Sequence, residues 1–237
     1  MRPSILLTRP AAESEATGRA LAKITGLPVI ESPLMQVRSA ANLPDLTDIA
    51  QLILTSRNGV QTYAALSGPP RSAFCVGEAT AEDARAIGLD ACAMGGDAAT
   101  MVPRIIEAAP SGTLMHLRGE HSSGNIAQRL TEAGIPTSEA VIYHQDLLDL
   151  TAEAQAVLAA RTPLILPLYS PRTAARFAEL ARPRAPLYLV AISRAVERAF
   201  GDLPTRDRMI ADAPDAPSMI RAVVATLRRL EGMGRPD

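Results

Sequence analysis

Leu52-Ile53-Leu54-Thr55-Ser56-Arg57-Asn58-Gly59-Val60 is an apolar run that breaks at a hydroxylated turn and then enters a helix. The run is strand-like in length, and Val60, Tyr63 and Leu66 then recur at helical intervals. Ser56 stands at the junction, where an N-cap hydroxyl would accept from a backbone N–H one turn on. The same succession returns at Leu164-Ile165-Leu166-Pro167-Leu168-Tyr169-Ser170-Pro171-Arg172, followed by Ala175, Phe177 and Leu180. There Ser170 is the cap and Pro171 the first helical residue, a pairing that helix starts prefer.

Outward from these two stretches the chain repeats itself. Ala73-Phe74-Cys75-Val76-Gly77 precedes a helix ended by Gly88, as Leu187 to Ile192 precedes one ended by Gly201. Asp97 opens an apolar helix through Met101 and Val102, as Asp215 does through Met219 and Ile220. Upstream, Ile5-Leu6-Leu7-Thr8 turns at Arg9-Pro10 into a helix over Ser14–Lys23, then Gly26 and a strand at Pro28–Ile30. Its counterpart runs Thr113–Leu117, Arg118-Gly119, a helix over Asn125–Ala133, Gly134 and an extended Ile135–Tyr143. Four correspondences in one order indicate an internal duplication, with a period too long for a solenoid. Alternating strands and helices, with uniformly apolar strands, predict α/β lobes: two similar parallel sheets, each flanked by helices. Ligands of such sheets bind beyond the carboxyl ends of the strands, so a cleft between the lobes is the expected site.

Composition narrows the function classes. The chain has 237 residues, 47% of them hydrophobic, enough for real cores, but no Trp and only three Phe and four Tyr. The stacking platforms of a single-strand nucleic-acid binder are therefore missing. A formal net charge of −1 supplies no basic field, so no nucleic-acid partner is expected. Lys23 is the one lysine among 24 basic residues; the rest are arginines, whose planar forks suit carboxylates. Cys75 and Cys92 are isolated, and His116, His121 and His144 are scattered, so no metal cluster is expected. The opening MRPSILLTRP is too short and too soon interrupted for a signal peptide, and no apolar run reaches membrane-spanning length. The expectation is a cytoplasmic protein with no membrane partner.

Chemistry has to come from the strand-end turns. Ser56, Ser170 and Thr80, the last expected to cap a helix beginning at Ala81, each read first as helix caps. Together they would aim free N–H groups and positive dipole ends at an anion such as a carboxylate. Arg9 and Arg118 occupy equivalent turns and read either as solvated arginines or as carboxylate clamps. Gly77 and Gly119 read as tight-turn residues. Neither a nucleophile–base triad, nor a zinc motif, nor a glycine-rich phosphate loop is present.

The ordered series LLTRP, LILTSRNGV, VGEAT, HLRGE, VIYH and YSPRTAARF resembles the uroporphyrinogen-III synthase family, from about residue 4 to residue 228. The resemblance implies one discontinuous lobe of residues 1–36 and 146–237 and a second of 37–145. Antiparallel connectors near Pro33–Ser39 and Val141–Leu147 would join them. It implies a cofactor-free enzyme, expected to act as a monomer, on a linear tetrapyrrole, hydroxymethylbilane, which it closes with inversion of the last ring and loss of water. Tyr143 takes the position of the family's acid for the departing hydroxyl, with a packed strand-end tyrosine as the plain alternative. Ser56, Thr80 and Ser170 match substrate-binding hydroxyls, and Arg9, Arg118, Gly119 and Ser193 complete the expected site. The second-lobe turn departs from the family's Gly-x-Thr-Ala pattern, reading Ala191-Ile192-Ser193-Arg194-Ala195-Val196-Glu197, and Pro167 is unusual within a strand. These departures favour an alternative, a non-catalytic synthase-like tetrapyrrole or anion binder. Retention of Tyr143, Thr80 and Ser56 together argues against it. A bilobal solute-binding protein would need a secretion signal.

Overall fold

The computed structural model describes residues 2–122 and 124–233. In chain order the elements are β1 (Ser4–Leu7), α1 (Ala11–Thr25), β2 (Val29–Glu31), β3 (Met35–Ser39), β4 (Ile49–Leu54), α2 (Arg57–Ala65), β5 (Ser72–Cys75), α3 (Glu78–Ala86), β6 (Asp90–Ala93) and α4 (Ala98–Ala108). They continue with β7 (Thr113–Gly119), α5 (Ile126–Glu132), β8 (Thr137–Leu147), α6 (Ala152–Ala159), β9 (Leu164–Leu168), α7 (Pro171–Leu180), β10 (Leu187–Ala191), α8 (Arg194–Phe200), β11 (Asp207–Ile210) and α9 (Ala216–Met233). Glu231–Met233 complete α9, and residues 234–237 lie outside the described residues.

Two compact units result, Met1–Gln36 with Leu147–Asp237, and Val37–Asp146. In the first, five strands run β11-β10-β9-β1-β2, all parallel. In the second, six run β3-β8-β7-β4-β5-β6. There β8 to β6 are parallel. By contrast, the bonds Ala40 N to Ile142 O and Leu148 N to Leu34 O set β3 antiparallel to β8. The mixed α/β class with parallel sheets is as expected. Written from matching edges, the orders β2-β1-β9-β10-β11 and β8-β7-β4-β5-β6 superpose the duplicated halves. Each half contributes its first strand–helix–strand to the other half's sheet. The order reverses between β1 and β9 and between β7 and β4, where such sheets leave room for ligands at their carboxyl ends.

Both faces of each sheet are buried, because successive side chains alternate across a strand. On one face of the first unit, Leu164, Leu166 and Leu168 pack with Leu158, Phe177 and Phe200 from α6, α7 and α8. On the other, Ile5, Leu7 and Ile165 meet Leu21 of α1 and Met219, Val223 and Leu227 of α9. In the second unit Leu52, Leu54 and Leu117 face Val60, Tyr63, Ala81 and Ala84. Ile53, Phe74 and Leu114 face Met101, Val102, Ile105 and Leu130. Full burial on both sides explains why the central strands read as unbroken apolar runs.

Pro167 is accommodated by where the ladder stops. β9 pairs with β1 only at Ser4↔Leu164 and Ile5↔Ile165. Leu164 N and Leu168 O bond toward β10 instead. By alternation the missing N–H of Pro167 faces the β1 side, past the last paired residue, so β10 loses no bond.

Candidate functional site

The site grows from the reversal point of the second unit. β4 and β7 are paired through Leu54↔Leu117. Beyond β4 the chain exits as Thr55-Ser56, and Ser56 caps α2 with its Oγ accepting from Gly59 N at 3.0 Å. Between β7 and β8 the register shifts, from Arg118↔Val141 to Gly119↔Tyr143, so one extra residue of β8 is inserted at Ile142. Such bulges re-aim the following side chain. Here the shift sets the Tyr143 ring against Gly119. A Cβ built on Gly119 would lie 2.6 Å from both Cε2 and Cζ of that ring and 2.8 Å from its oxygen. Gly119 is thus required by close approach. The tight-turn reading is corrected, since Gly119 is not among the positive-φ glycines and Gly77 is extended at φ −155°.

Tyr143 is 6% exposed, and its hydroxyl lies 2.8 Å from Ser56 Oγ. The pair borders a cavity of about 310 Å³ whose lining also includes Thr55, Gly96, Asp97, Gly119, His121, Ser122 and Ile126. The described lining carries hydroxyls, the His121 imidazole, the Asp97 carboxylate and the apolar side chains of Val76, Ala98 and Ile126, with no arginine or lysine. Asp97 is occupied in capping α4: its carboxylate accepts from Thr100 N at 2.8 Å, which holds its pKa below the usual carboxylate value. Among the described residues no three His, Cys, Asp or Glu side chains converge on a metal position.

Behind Thr55 lies a buried polar group. His116, on β7, is 1% exposed and sits 3.1 Å from Thr55 Oγ1 through Nε2. Its Nδ1 has no hydrogen-bond partner, and the nearest carboxylate oxygen, Glu139 Oε2, is 4.0 Å away. Burial pushes the imidazole pKa down from 6.5 to about 4; Glu139 opposes this and Arg118 adds to it.

The expected residues fall into three groups. Ser56, Gly119 and Tyr143 come together at the cavity. Arg118 and Thr80 belong to the same unit but are not among its lining residues. The Arg118 guanidinium is spent on Glu139 Oε1 at 2.6 Å and on the carbonyls of Gly119 and Glu120, which lowers the Glu139 pKa. Thr80 is no cap either. α3 starts at Glu78 with Gly77 as N-cap, and Thr80 is buried inside the first turn. The glycine in VGEAT lets the helix begin three residues earlier than the hydroxyl suggested.

Arg9, Ser170 and Ser193 lie in the other unit. Ser170 caps α7 through Thr173 N at 3.1 Å, and Ser193 caps α8 through Val196 N at 3.4 Å. Arg9 is held by Glu13 and Thr17, and its guanidinium stacks 4.1 Å from the Tyr169 ring centroid. Tyr169 is partly buried, and that desolvation raises its pKa against the opposing Arg9 charge. Sequence reasoning missed Thr55, His116, His121 and Ser122. A histidine in phase with the buried side chains of a core strand was the available signal for His116.

Two units of helix-flanked parallel sheet, with a tyrosine–serine pair at a strand-order reversal, define a class of duplicated α/β folds that comparison narrows further. The sequence model described as Uroporphyrinogen-III synthase HemD matches residues 16–221. This chain belongs to the uroporphyrinogen-III synthase family. It is 26% identical to the uroporphyrinogen-III synthase of Chlorobaculum parvum over 95% of this chain and 99% of that protein. Among solved structures, the uroporphyrinogen-III synthetase of Helicobacter pylori superposes with a TM-score of 0.67 at 20% identity, over 95% of this chain and 99% of that one. A mutant uroporphyrinogen III synthase of Thermus thermophilus gives 0.52 at 14% identity, over 97% and 100%. At these identities the superpositions speak for the fold.

Proposed function

We propose that this chain is a uroporphyrinogen-III synthase: it converts hydroxymethylbilane to uroporphyrinogen III and water. The observation that carries the reading at the level of chemistry is the buried Tyr143 hydroxyl, 2.8 Å from Ser56 at the cavity's edge. Ser56 accepts from Gly59 N–H, donates to the Tyr143 oxygen and leaves the phenolic proton for the substrate's departing hydroxyl. Proton and hydroxyl leave as water, giving an electrophilic azafulvenium ion. The substituted carbon of the last pyrrole attacks it, and the resulting spiro intermediate fragments and recloses with that ring reversed. The proton that the last pyrrole sheds on reclosure returns to the Tyr143 phenolate. No protein nucleophile is needed. The protein's task is to hold a flexible, reactive chain in one fold while excluding competing closure. A lining rich in hydroxyls, with Tyr143 at its edge, suits that task.

The reading extends to a cytoplasmic monomer that uses no nucleic acid and no cofactor, in keeping with a formal net charge of −1 and 3% aromatic residues. No helix among the described residues is long and apolar enough to cross a membrane. The connectors expected near Pro33–Ser39 and Val141–Leu147 are part of this proposal, as are substrate contacts from Thr80, Arg118, Arg9, Ser170 and Ser193.

The test is isomer analysis. Freshly generated hydroxymethylbilane is incubated with and without protein, oxidised, and the porphyrin isomers separated. Isomer III predominating only with protein present supports the synthase. Isomer I alone, at the spontaneous rate, refutes catalysis and leaves a synthase-like binder.

A further inference from the structure

The cavity wall at Thr55 is backed by the one buried histidine among the described residues, and that histidine is incompletely bonded. Its Nε2 meets the Thr55 hydroxyl at 3.1 Å, while its Nδ1 points to nothing closer than Glu139 Oε2 at 4.0 Å. The other oxygen of Glu139 is taken by Arg118 Nη2 at 2.6 Å, so Oε2 is the free end of that carboxylate. A bare Nδ1 lone pair aimed at a carboxylate oxygen would be repelled, whereas an Nδ1–H would be attracted. The neutral ring therefore keeps its proton on Nδ1 and has an acceptor at Nε2.

That tautomer decides what Thr55 offers. A hydroxyl has one proton and two lone pairs. If its proton goes to His116 Nε2, the oxygen faces the cavity as an acceptor only. Ser56, one residue on, accepts from Gly59 N–H and donates to the oxygen of its neighbour Tyr143. Adjacent residues of one turn then play opposite parts, with Thr55 receiving a proton donor and the Ser56–Tyr143 pair delivering one.

We infer that His116 is a positioning residue: through Nε2 it fixes the Thr55 hydroxyl as an acceptor for an N–H donor of the ligand, a pyrrole N–H if the ligand is the tetrapyrrole. The inference rests on the reading of this cavity as the substrate site. It predicts discrimination against ligands whose ring nitrogens carry no hydrogen, because an acceptor-only oxygen has nothing to give them.

Two measurements on the full chain test it. Nitrogen-15 NMR of histidine-labelled protein at neutral pH reads which ring nitrogen of His116 is protonated, its signals assigned by their loss in His116→Gln. A protonated Nδ1 is expected; a protonated Nε2 overturns the tautomer and the inference with it. Steady-state formation of isomer III is then compared in wild type, Thr55→Val, His116→Leu and His116→Gln. In Thr55→Val and His116→Leu, KM should rise about tenfold with kcat held within about threefold, as when one ground-state hydrogen bond is lost. The Gln amide oxygen can accept from Thr55, so His116→Gln should recover most of that KM. An unchanged KM in Thr55→Val overturns the inference, as does a loss in His116→Leu that Gln does not relieve. A wild-type protein forming only isomer I would instead strike at the proposed function, and the NMR measurement would still decide the state of His116.

Discussion

Replacing Gly119 with alanine should disable the site through a single methyl group. The added Cβ would lie 2.6 Å from Tyr143 Cε2 and Cζ, and ordinary contact begins near 3.4 Å. The ring must therefore retreat by roughly 0.8 Å, a shift that buried packing resists at a cost of about 1–3 kcal/mol. Retreat is hindered because Tyr143 is itself part of the cluster formed by Leu54, Met115, Leu117 and Ile142. Moving the ring by that amount stretches the present 2.8 Å contact with Ser56 to about 3.6 Å, past the useful range of a hydroxyl hydrogen bond. Thermal unfolding should show a loss of about 3–8 °C for a chain of this size. Isomer analysis should show isomer III slowed about tenfold or more, with spontaneous isomer I emerging. The decisive arm is a double-mutant cycle. In a Tyr143→Ala background the ring is gone, so Gly119→Ala should add little further cost, and the two substitutions should be strongly non-additive. A penalty that persists without the ring, or wild-type stability and turnover in Gly119→Ala, would refute the close-approach argument.

Tyr143→Phe keeps the ring and removes the proton, so isomer III formation should fall about a hundredfold or more while the fold survives; wild-type turnover would remove tyrosine from the chemistry. His116 is held near pKa 4 when folded against 6.5 unfolded, so the unfolded chain gains a proton first as pH falls. Stability is then unaffected above pH 6.5 and declines from there toward pH 4, by about 2 kcal/mol at pH 5. In denaturant melts His116→Gln should lack that part of the acid loss. Parallel pH curves for the two proteins would show that the ring is not neutral at Glu139 and Arg118, the charged groups facing it. Burial pushes the Cys75 thiol up to about 12, whereas Cys92 is exposed and less shifted. Alkylation at mildly alkaline pH should therefore label Cys92 well before Cys75, and equal rates would contradict the packing around β5.

How far the fold was legible follows from burial. Central strands such as Leu52-Ile53-Leu54 and Leu164-Ile165-Leu166 are covered on both faces, so their apolar runs and the caps Ser56 and Ser170 announce them locally. The short strands Asp90-Ala91-Cys92-Ala93 and Asp207-Arg208-Met209-Ile210 sit at sheet edges and mix polar with apolar residues, which hides them. α6, with sequence Ala-Glu-Ala-Gln-Ala-Val-Leu-Ala, was missed because alanine on every side blurs the apolar stripe that marks a surface helix. The start of α3 was misplaced for a related reason. A cap hydroxyl at Thr80 reads clearly in sequence, while an extended Gly77 that begins the helix without a side-chain bond leaves no such mark.

The site was legible in its turns and obscure in its depth. A turn residue such as Ser56 acts through its own next three residues, so its role is written beside it in the chain. Gly119 and Tyr143 are 24 positions apart, and what joins them is a one-residue register shift between β7 and β8. Nothing in either segment encodes that shift locally; it depends on how the two strands are paired. The same holds for Arg118. Its matched position with Arg9 suggested a ligand clamp, but Glu139, placed across the strand pair, already engages its Nη2. An arginine at a strand end is free to bind substrate only if the neighbouring strand leaves it free, and that is a property of the sheet. Residues whose chemistry is local could be assigned from sequence. Those whose chemistry is set by a cross-strand neighbour, Arg118, His116 and Gly119 among them, needed the pairing register first.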